Sequence, residues 1–368
     1  MALGGGYEDL ARQAKQRSLA ASIEPLLAGS DLAIGNLEGP LTNHESEGPS
    51  WRFCLHGNPV YAAVLASAGI HAVTLANNHA MDHGWQGLCE TQKVLNAAGI
   101  KHVGAGLDLM EARKPLQLAV NGVRVGILAY CDVPTRSPLY AGIDQPGVAP
   151  LRREFLFKDI ATAKQGCDIL ILCMHWGQED VREPAPKHRR LAREMIRAGA
   201  NIVVGHHPHV LQGTERVGGG GIAYSLGNFT FSDQDWHGTN RSGETFSMPY
   251  RLSEANRRSA VWKILMDSHG VIIQENLVPV FLGADLLPVV DSRPERQAEF
   301  DRNNDALAMR AYTLAWSMRM IGSRLRVNLQ QVRGEQGFGK RLLRVRARHI
   351  RSLWQLLARE WEQFRGTE

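Results

Sequence analysis

The sequence lacks the features that mark several classes of protein. No two of its five cysteines are spaced as CxxC, so it predicts neither a zinc ribbon nor a redox couple, and we interpret all five as buried thiols. It contains no internal repeat and no low-complexity tract. Residues 1–31 include no apolar run long enough for a signal peptide or a membrane span. As written, the chain is therefore expected to be cytoplasmic, and association with the cell envelope stays open.

The net charge is also small, and the basic residues that produce it are unevenly distributed along the chain. The formal net charge is +5 over 368 residues, yet ten Lys or Arg stand against the single acid Glu335 within residues 319–351. Residues 340–365 form a predicted amphipathic helix with four apolar side chains on one face, namely Leu353, Leu357, Trp361 and Phe364. We interpret the basic side as the solvated face of a packing helix. Contact with an anionic membrane surface is the alternative, whereas the pattern disfavours nucleic acid binding because no aromatic residues alternate with base-reading groups.

What the sequence does contain is an alternation of strand and helix patterns. Hydrophobic residues make up 44% of the chain, which is enough for a substantial core. Short runs rich in Val, Ile and Leu alternate with amphipathic stretches, as is typical of sheets covered by helices. The predicted strands are residues 31–35, 72–75, 123–130, 168–174, 201–204 and 222–225. The predicted helices are residues 60–68, 85–98, 155–164 and 186–198.

The second half of the chain predicts further elements. Residues 260–266 and 271–280 are expected to form a hairpin, and the glycines of residues 217–221 a tight turn. The polar stretch 232–258 is expected to be a long surface loop near the functional site. The sequence pattern changes after residue 290. This change predicts an α/β domain over residues 1–290 and a basic helical extension over residues 291–368. The first helix of this extension is predicted over residues 295–326.

Histidines follow the apolar run at residues 202–204, in the order Gly205-His206-His207-Pro208-His209. A strand that ends in such a turn places imidazoles at the carboxyl edge of a sheet, where open α/β folds bind ligands. His207 and His209 are two residues apart, so they converge on one point only from an irregular turn, which Pro208 would stiffen. Imidazole is a good ligand for zinc, manganese and iron. The alternative is a polar loop in which three histidines cluster by chance.

Three further apolar runs end in the same way, in Asn36-Leu37-Glu38, in Asn77-Asn78-His79 and in His175. The amide of Asn78 could bind a metal or donate to an oxyanion, and His79 could protonate a leaving group or hold a phosphoryl oxygen. Considered singly, Asn78 could be a turn former and a lone histidine could be structural. Four strands that all end in His, Asn or Glu at one edge of a sheet are not expected by chance. They predict a centre for divalent ions, two in number, on Glu38, Asn78, His175, His207 and His209.

The residue types also indicate a reaction. A carboxylate such as Glu38 could bridge two ions about 3.5 to 4 Å apart, the spacing that activates water and stabilises in-line displacement. Hydrolysis of a phosphoester-like bond is therefore predicted, with His79 and Asn78 as the catalytic groups. Asp82, His206 and Asn228 are expected to lie beside the ligands, and Asn228 to orient one of them. Asp132 could reach the same edge, but we interpret it as a loop residue.

These residues, in this order, resemble the poly-gamma-glutamate capsule synthesis protein CapA family, a branch of the calcineurin-like metallophosphoesterases. The resemblance covers about residues 30–231 and rests on five long blocks. They are Asp31-Leu-Ala-Ile-Gly-Asn-Leu-Glu38, Leu75-Ala-Asn-Asn-His79 with Asp82, His175-Trp-Gly177, Gly199-Ala-Asn-Ile-Val-Val-Gly-His-His-Pro-His209 and Tyr224-Ser-Leu-Gly-Asn-Phe229.

The resemblance implies a four-layer metallophosphoesterase fold, in which two sheets pack face to face between helices. It also implies the ligand roles given above, with His79 as the acid or the phosphoryl contact. Members of the family act in making, exporting or anchoring anionic capsule polymer, and the motifs do not imply an enzymatic substrate.

One departure from the family pattern concerns the start of the chain. That pattern opens with a strand carrying Gly-Asp, whose aspartate is a metal ligand, followed closely by a stretch like Met1-Ala-Leu-Gly4. We hypothesise that this strand and its aspartate are missing here through a mistaken start codon or a gene fragment. One metal site would then lack its anionic ligand, and metal binding and activity would be low.

The sequence leaves three functions open. The leading prediction is a metal-dependent phosphoesterase-like hydrolase linked to synthesis or anchoring of an anionic capsule polymer. The alternatives are a non-catalytic scaffold for polymer assembly and a metal-dependent amide or peptide hydrolase, because an activated water is not confined to phosphorus. The expected partners are an anionic polymer or a phosphoester substrate.

Overall fold

The computed structural model describes residues 1–12, 16–46, 53–133, 139–239, 243–309, 312–314, 316–318 and 320. The chain forms two compact units, Met1–Asp305 and Ala306–Glu368. The domain boundary predicted at residue 290 stays a prediction, and the helix predicted over residues 340–365 lies outside the described residues. Within the described part of the chain, no helix has both the length and the apolar character needed to cross a membrane.

Eight helices and sixteen strands are seen in the described residues. The helices are α1 (Gly6–Arg12), α2 (Gln16–Leu27), α3 (Tyr61–Ser67), α4 (Gly84–Ala97), α5 (Leu109–Ala112), α6 (Arg153–Gly166), α7 (Pro186–Arg197) and α8 (Pro294–Ala308). The first eight strands are β1 (Ile34–Asn36), β2 (Ala72–Thr74), β3 (Lys101–Val103), β4 (Ala105–Gly106), β5 (Leu116–Val120), β6 (Val123–Cys131), β7 (Gly147–Val148) and β8 (Ile169–His175). The others are β9 (Ile202–His206), β10 (Thr214–Val217), β11 (Gly220–Ala223), β12 (Gln234–Thr239), β13 (Thr245–Tyr250), β14 (Arg258–Met266), β15 (Ile272–Leu282) and β16 (Pro288–Val290).

Two sheets form the centre of the larger unit. The first has three parallel strands in the order β1-β2-β3. The second has six strands in the order β10-β11-β9-β8-β6-β5. Its four inner strands are parallel to one another, and β5 and β10 pair antiparallel at its edges. Because inner strands point the same way, their carboxyl ends meet at one edge.

The two sheets pack face to face. Along β6, Val125, Ile127 and Ala129 alternate onto the face that shares one core with Val73 and Val103 of the first sheet. Helices α3 and α4 belong to the same core and cover the first sheet, while α6 and α7 contact the second sheet. The order helix, sheet, sheet, helix confirms the predicted four-layer α/β architecture.

Gly104, directly after β3, is packed tightly between Ala76, which follows β2 of the first sheet, and Ala129 of β6 in the second sheet. It has φ +96°, and an added Cβ would lie 2.7 Å from Ala76 Cβ and 2.9 Å from Ala129 Cβ. Gly122 has a similar φ of +82°, but nothing lies within 4 Å of its Cβ position. Gly122→Ala should therefore cost only the left-handed conformation, about 1–2 kcal/mol. Gly104→Ala should cost a further ~1–3 kcal/mol for overpacking.

Urea denaturation of the two variants measures this difference directly, with Gly122→Ala as the control for backbone strain. Equal free energies of unfolding for the two variants would show that the sheets can separate to admit a methyl group, and the close packing inferred at Gly104 would be wrong.

The second half of the chain corrects one prediction. Residues 232–258 do not form one long loop, because β12 and β13 pair antiparallel, with Trp236 opposite Met248. The polar composition of the stretch hid the β-forming side chains Trp236, Phe246 and Tyr250. The predicted hairpin is confirmed by the pairing of β14 with β15, and the predicted glycine turn by the pairing of β10 with β11. Helix α8 covers the start of the helix predicted over residues 295–326.

Candidate metal centre

The loops after β1, β2, β8 and β9 meet at the carboxyl ends of the two sheets. His175 Nε2 lies 2.6 Å from Asn78 Oδ1, which joins the second sheet to the first. Glu38 Oε1 lies 3.4 Å from His209 Nε2 and 3.8 Å from His175 Nε2. All five predicted ligands are buried, namely Glu38, Asn78, His175, His207 and His209. The structure thus brings together the residues that the sequence assigned to this centre.

Glu38 is held by a buried chain of hydrogen bonds. Thr74 Oγ1 donates to Asn36 Oδ1 (3.2 Å), and Asn36 Nδ2 donates to Glu38 Oε2 (3.3 Å). Asn36 and Thr74 lie opposite each other in the pairing of β1 with β2, so strand register sets this chain. The second carboxylate oxygen, Oε1, is buried and has no hydrogen-bond partner. Glu38 is therefore fixed through one oxygen and presents the other to the imidazoles.

The imidazoles of His207 and His209 project from an irregular turn. Both residues have left-handed backbones, with φ 94° and 57°. Such conformations cost about 1–3 kcal/mol each and persist where the surroundings impose them. His209 Nδ1 donates to Asn228 Oδ1 (2.8 Å), which leaves Nε2 free to face Glu38. This contact is the kind that would orient a ligand, and the orienting role of Asn228 stays a prediction.

Among the residues that the structure describes, two groups of side chains could hold a metal ion. Within each group, the ligand atoms lie within 4.8 Å of one another. The first group is Glu38, His175 and His207, all buried, and the second is Glu179, His207 and His209, in which the carboxylate is exposed.

The donor chemistry fits a divalent transition metal. Glu38 Oε1 and His207 Nδ1 are buried atoms without a hydrogen-bond partner. Buried polar atoms are rarely left unpaired in proteins, and such exceptions occur where an ion or water belongs. Imidazole and carboxylate donors together suit zinc, manganese and iron. The side chains present at this edge therefore fit the ions that the sequence predicts.

The protonation state of the imidazoles also suits a metal. Burial lowers the pKa of His207 to about 4 and the pKa of His175 well below its ordinary value. Both rings are then neutral at pH 7, which is the form that binds metal ions. Burial lowers the pKa of His206 to about 4 as well.

His79 lies beside the candidate metal groups in a different environment. Its Nδ1 donates to Asp82 Oδ2 (2.6 Å), and the same carboxylate oxygen accepts the backbone N–H of Leu55 (2.7 Å). Burial alone would lower the pKa of His79, but the charge and the hydrogen bond of Asp82 outweigh it and raise the pKa. The side chain of His79 is 15% exposed, so the ring reaches the surface of the site. The surroundings of His79 thus favour a bound proton, whereas burial disfavours one on His175 and His207.

Two other predicted residues lie beside the centre without joining either group. His206 belongs to β9, and its carbonyl oxygen accepts the backbone N–H of Trp176 (3.1 Å). Asp132 Oδ2 accepts from Lys187 Nζ (2.9 Å) and His188 Nε2 (3.1 Å) of α7. Asp132 is therefore engaged with a helix, in line with its interpretation as a loop residue. The role of His206 beside the ligands stays a prediction.

Sequence reasoning missed Glu179 as a member of the centre. It lies four residues after His175 in the loop between β8 and α7, and it is exposed. The only available signal was an acid placed closely behind a candidate ligand, which is common on protein surfaces.

The chain is similar in sequence to known capsule synthesis proteins. The sequence profile described as Bacterial capsule synthesis protein PGA_cap matches residues 1–233. PGA biosynthesis protein CapA of Bacillus subtilis (strain 168) is 38% identical over 242 residues, which cover 65% of this chain and 63% of that protein. Capsule biosynthesis protein CapA of Bacillus anthracis is 36% identical over 229 residues, covering 60% of this chain and 55% of that protein. The chain thus spans less than two thirds of these relatives.

Solved structures resemble it more distantly. A novel phosphatase from Mycoplasma pneumoniae aligns with a TM-score of 0.44 and 15% identity, over 78% of this chain and 94% of that one. A 5′-nucleotidase precursor from Thermus thermophilus aligns with a TM-score of 0.40 and 16% identity, over 75% of this chain and 48% of that one.

Proposed function

Since this chain belongs to the bacterial capsule synthesis protein family PGA_cap, we propose that it is a metal-dependent hydrolase of phosphoester-like bonds that acts in the synthesis or anchoring of an anionic capsule polymer. The relatives named for biosynthesis of PGA and of capsule support the biological part of the proposal. The observation that carries the chemical part is the convergence of Glu38, His175, His207 and His209 on one buried point.

The proposed ligands are the five residues that meet at this edge: Glu38, Asn78, His175, His207 and His209. Two ions of manganese, zinc or iron, when bound there, would lower the pKa of water and polarise the ester bond. The neutral state of His175 and His207 at pH 7 suits this role, because a protonated ring nitrogen cannot coordinate.

His79 is proposed as the general acid. Its raised pKa favours the protonated ring, and Asp82 holds the proton on Nδ1. The Nε2–H of the same ring would then donate its proton to the leaving alcohol oxygen as the phosphorus–oxygen bond breaks. The NH2 group of Asn78 would donate a hydrogen bond to a phosphoryl oxygen that gains negative charge. Water supplies the new oxygen on phosphorus, so the products are a phosphate ester or phosphate and an alcohol.

An assay with three substrates tests the proposal. The purified chain, supplied with Mn²⁺ or Zn²⁺, should hydrolyse a chromogenic phosphodiester or phosphomonoester at least ~100-fold faster than a His207→Ala, His209→Ala double variant, because that variant removes two ring donors from the centre. His269→Ala, an exposed histidine in a turn, serves as the matched control and should keep the full rate.

The other outcomes separate the rival functions. Cleavage of poly-gamma-glutamate without cleavage of either phosphoester would make the chain an amide hydrolase. Bound metal with no turnover of any substrate would favour a non-catalytic scaffold. A double variant as fast as the wild type would remove this centre from the reaction.

A further inference from the structure

The exposed carboxylate of Glu179 is placed as a ligand for a second cation, outside the buried group formed by Glu38, His175 and His207. We propose that Glu179, together with His209 and the shared His207, binds this second divalent ion at the mouth of the centre. The inference rests on the proposed function, because it assumes that the buried group holds a first ion.

The geometry gives the first reason. A carboxylate oxygen of Glu179 and ring nitrogens of His207 and His209 lie within 4.8 Å of one another. Both histidines are buried, so their rings have few positions to adopt, and the carboxylate approaches them from the solvent side. His207 also belongs to the buried group. The two cation positions are therefore adjacent, and occupation of one is coupled to occupation of the other.

The loop that carries Glu179 is tied to the histidine turn. The backbone N–H of Asp180 donates to Pro208 O (2.9 Å). Asn256 Nδ2 donates both to Asp180 Oδ1 (2.7 Å) and to His209 O (3.2 Å). The side-chain amide of Asn256 thus joins the loop that carries Glu179 to the turn that carries His207 and His209.

Backbone strain marks the same place. Asp180 has φ 60°, so the residue next to Glu179 adopts a left-handed conformation, as His207 and His209 do. This backbone conformation is unfavourable for residues other than glycine, and it is retained where the surroundings impose it. The clamp by Asn256 supplies that constraint. The backbone that carries Glu179 is therefore held beside the imidazoles by contacts of the fold.

Charge gives an independent reason. An imidazole ligand supplies no negative charge, and among the described residues the buried group contributes one carboxylate, that of Glu38. Two divalent ions carry four positive charges, and uncompensated charge in a partly desolvated site is costly. A carboxylate at the mouth supplies the second negative charge while it remains hydrated on its outer side. Glu179 thus provides for a second ion what Glu38 provides for the first.

Metal titration of the full chain tests this assignment without any activity assay. The protein is stripped with a chelator and titrated with Mn²⁺, and free Mn²⁺ is counted by electron paramagnetic resonance. Wild type should bind two ions. Glu179→Gln should retain the first site with unchanged affinity and should weaken the second at least about 100-fold, because the loss of even an outer-shell partner costs 10–100-fold.

Two further variants complete the design. Glu154→Gln makes the same chemical change at an exposed acid in the first turn of α6 and should bind two ions like the wild type. Glu179→Asp keeps the charge on a shorter side chain and should recover part of the second-site affinity. Because Glu179 is exposed, unchanged circular dichroism and melting of the stripped variants are expected, which shows that the fold is intact.

The outcomes distinguish this inference from the proposed function. Wild type with two ions and Glu179→Gln with one supports the assignment. Equal second-site affinity in Glu179→Gln, or a wild type that binds a single ion, overturns it and leaves the buried centre standing. A wild type that binds no Mn²⁺ overturns the metal centre itself and the second site with it.

Discussion

Replacing His79 with asparagine should lower kcat for the phosphoester by roughly 10²- to 10⁴-fold, the contribution typical of a positioned general acid. The number of bound metal ions should stay the same, because His79 belongs to neither candidate group of ligands. Its Nδ1 is bonded to Asp82, which leaves Nε2 to carry the transferable proton, and the side chain is partly exposed. Steady-state kinetics together with elemental analysis of the purified variant would measure both quantities.

The matched change is Asp82→Asn, which removes the charge that raises the pKa of His79 and leaves the ring in place. A lower pKa means that the proton is lost at lower pH, so the alkaline limb of the pH–rate profile should move to lower pH. Loss of metal from His79→Asn would instead make His79 a ligand, and an unchanged kcat would remove it from the mechanism.

The layered fold was largely predictable because the spacing of apolar residues in a single sequence indicates which segments are buried strands and helices. Uninterrupted apolar runs such as residues 123–130 predict strands buried on both faces, and the structure places β6 at Val123–Cys131. Apolar spacing does not reveal a strand that is buried on one face only and lies in a stretch of polar composition. The sequence predicts a loop in place of the hairpin of β12 and β13, because polar residues outnumber Trp236, Phe246 and Tyr250 in that stretch.

The site was predictable for a topological reason. Parallel inner strands end at one edge, so a polar residue directly after each strand is brought to a common place whatever the details of packing. That rule located Glu38, Asn78, His175 and the turn at residues 207–209, and the resemblance to the CapA family agrees with the chain's membership of the PGA_cap family.

Contacts that depend on register or loop shape could not be predicted in this way. Asn36 reaches Thr74 only because β1 pairs with β2 in one particular register, which a single sequence does not specify. Glu179 reaches the imidazoles only because a left-handed residue follows it and Asn256, 77 positions further along the chain, clamps its loop. Both cases combine residues far apart in sequence through geometry that no local pattern encodes.

Glu38→Gln should remove most of the stabilisation that the protein gains from metal. At an effective dielectric constant of 20, opposite unit charges 4 Å apart attract by about 4 kcal/mol, so loss of this carboxylate should weaken the first ion roughly 10³-fold or more. At a metal concentration of about 100 times the wild-type Kd, the wild type gains about 2.7 kcal/mol in free energy of unfolding. The variant, with a Kd about 10³-fold higher, gains less than about 0.1 kcal/mol at the same concentration.

Urea denaturation with and without Mn²⁺ measures this gain in each protein separately, so any effect of the substitution on the metal-free fold cancels. Glu154→Gln is again the control, because it removes the same charge at an exposed site and should gain as much as the wild type. If Glu38→Gln gained as much as the wild type, the ion would bind elsewhere. The unpaired oxygen of Glu38 would then need another explanation, because a buried carboxylate oxygen without a hydrogen bond is costly to maintain unless a cation approaches it.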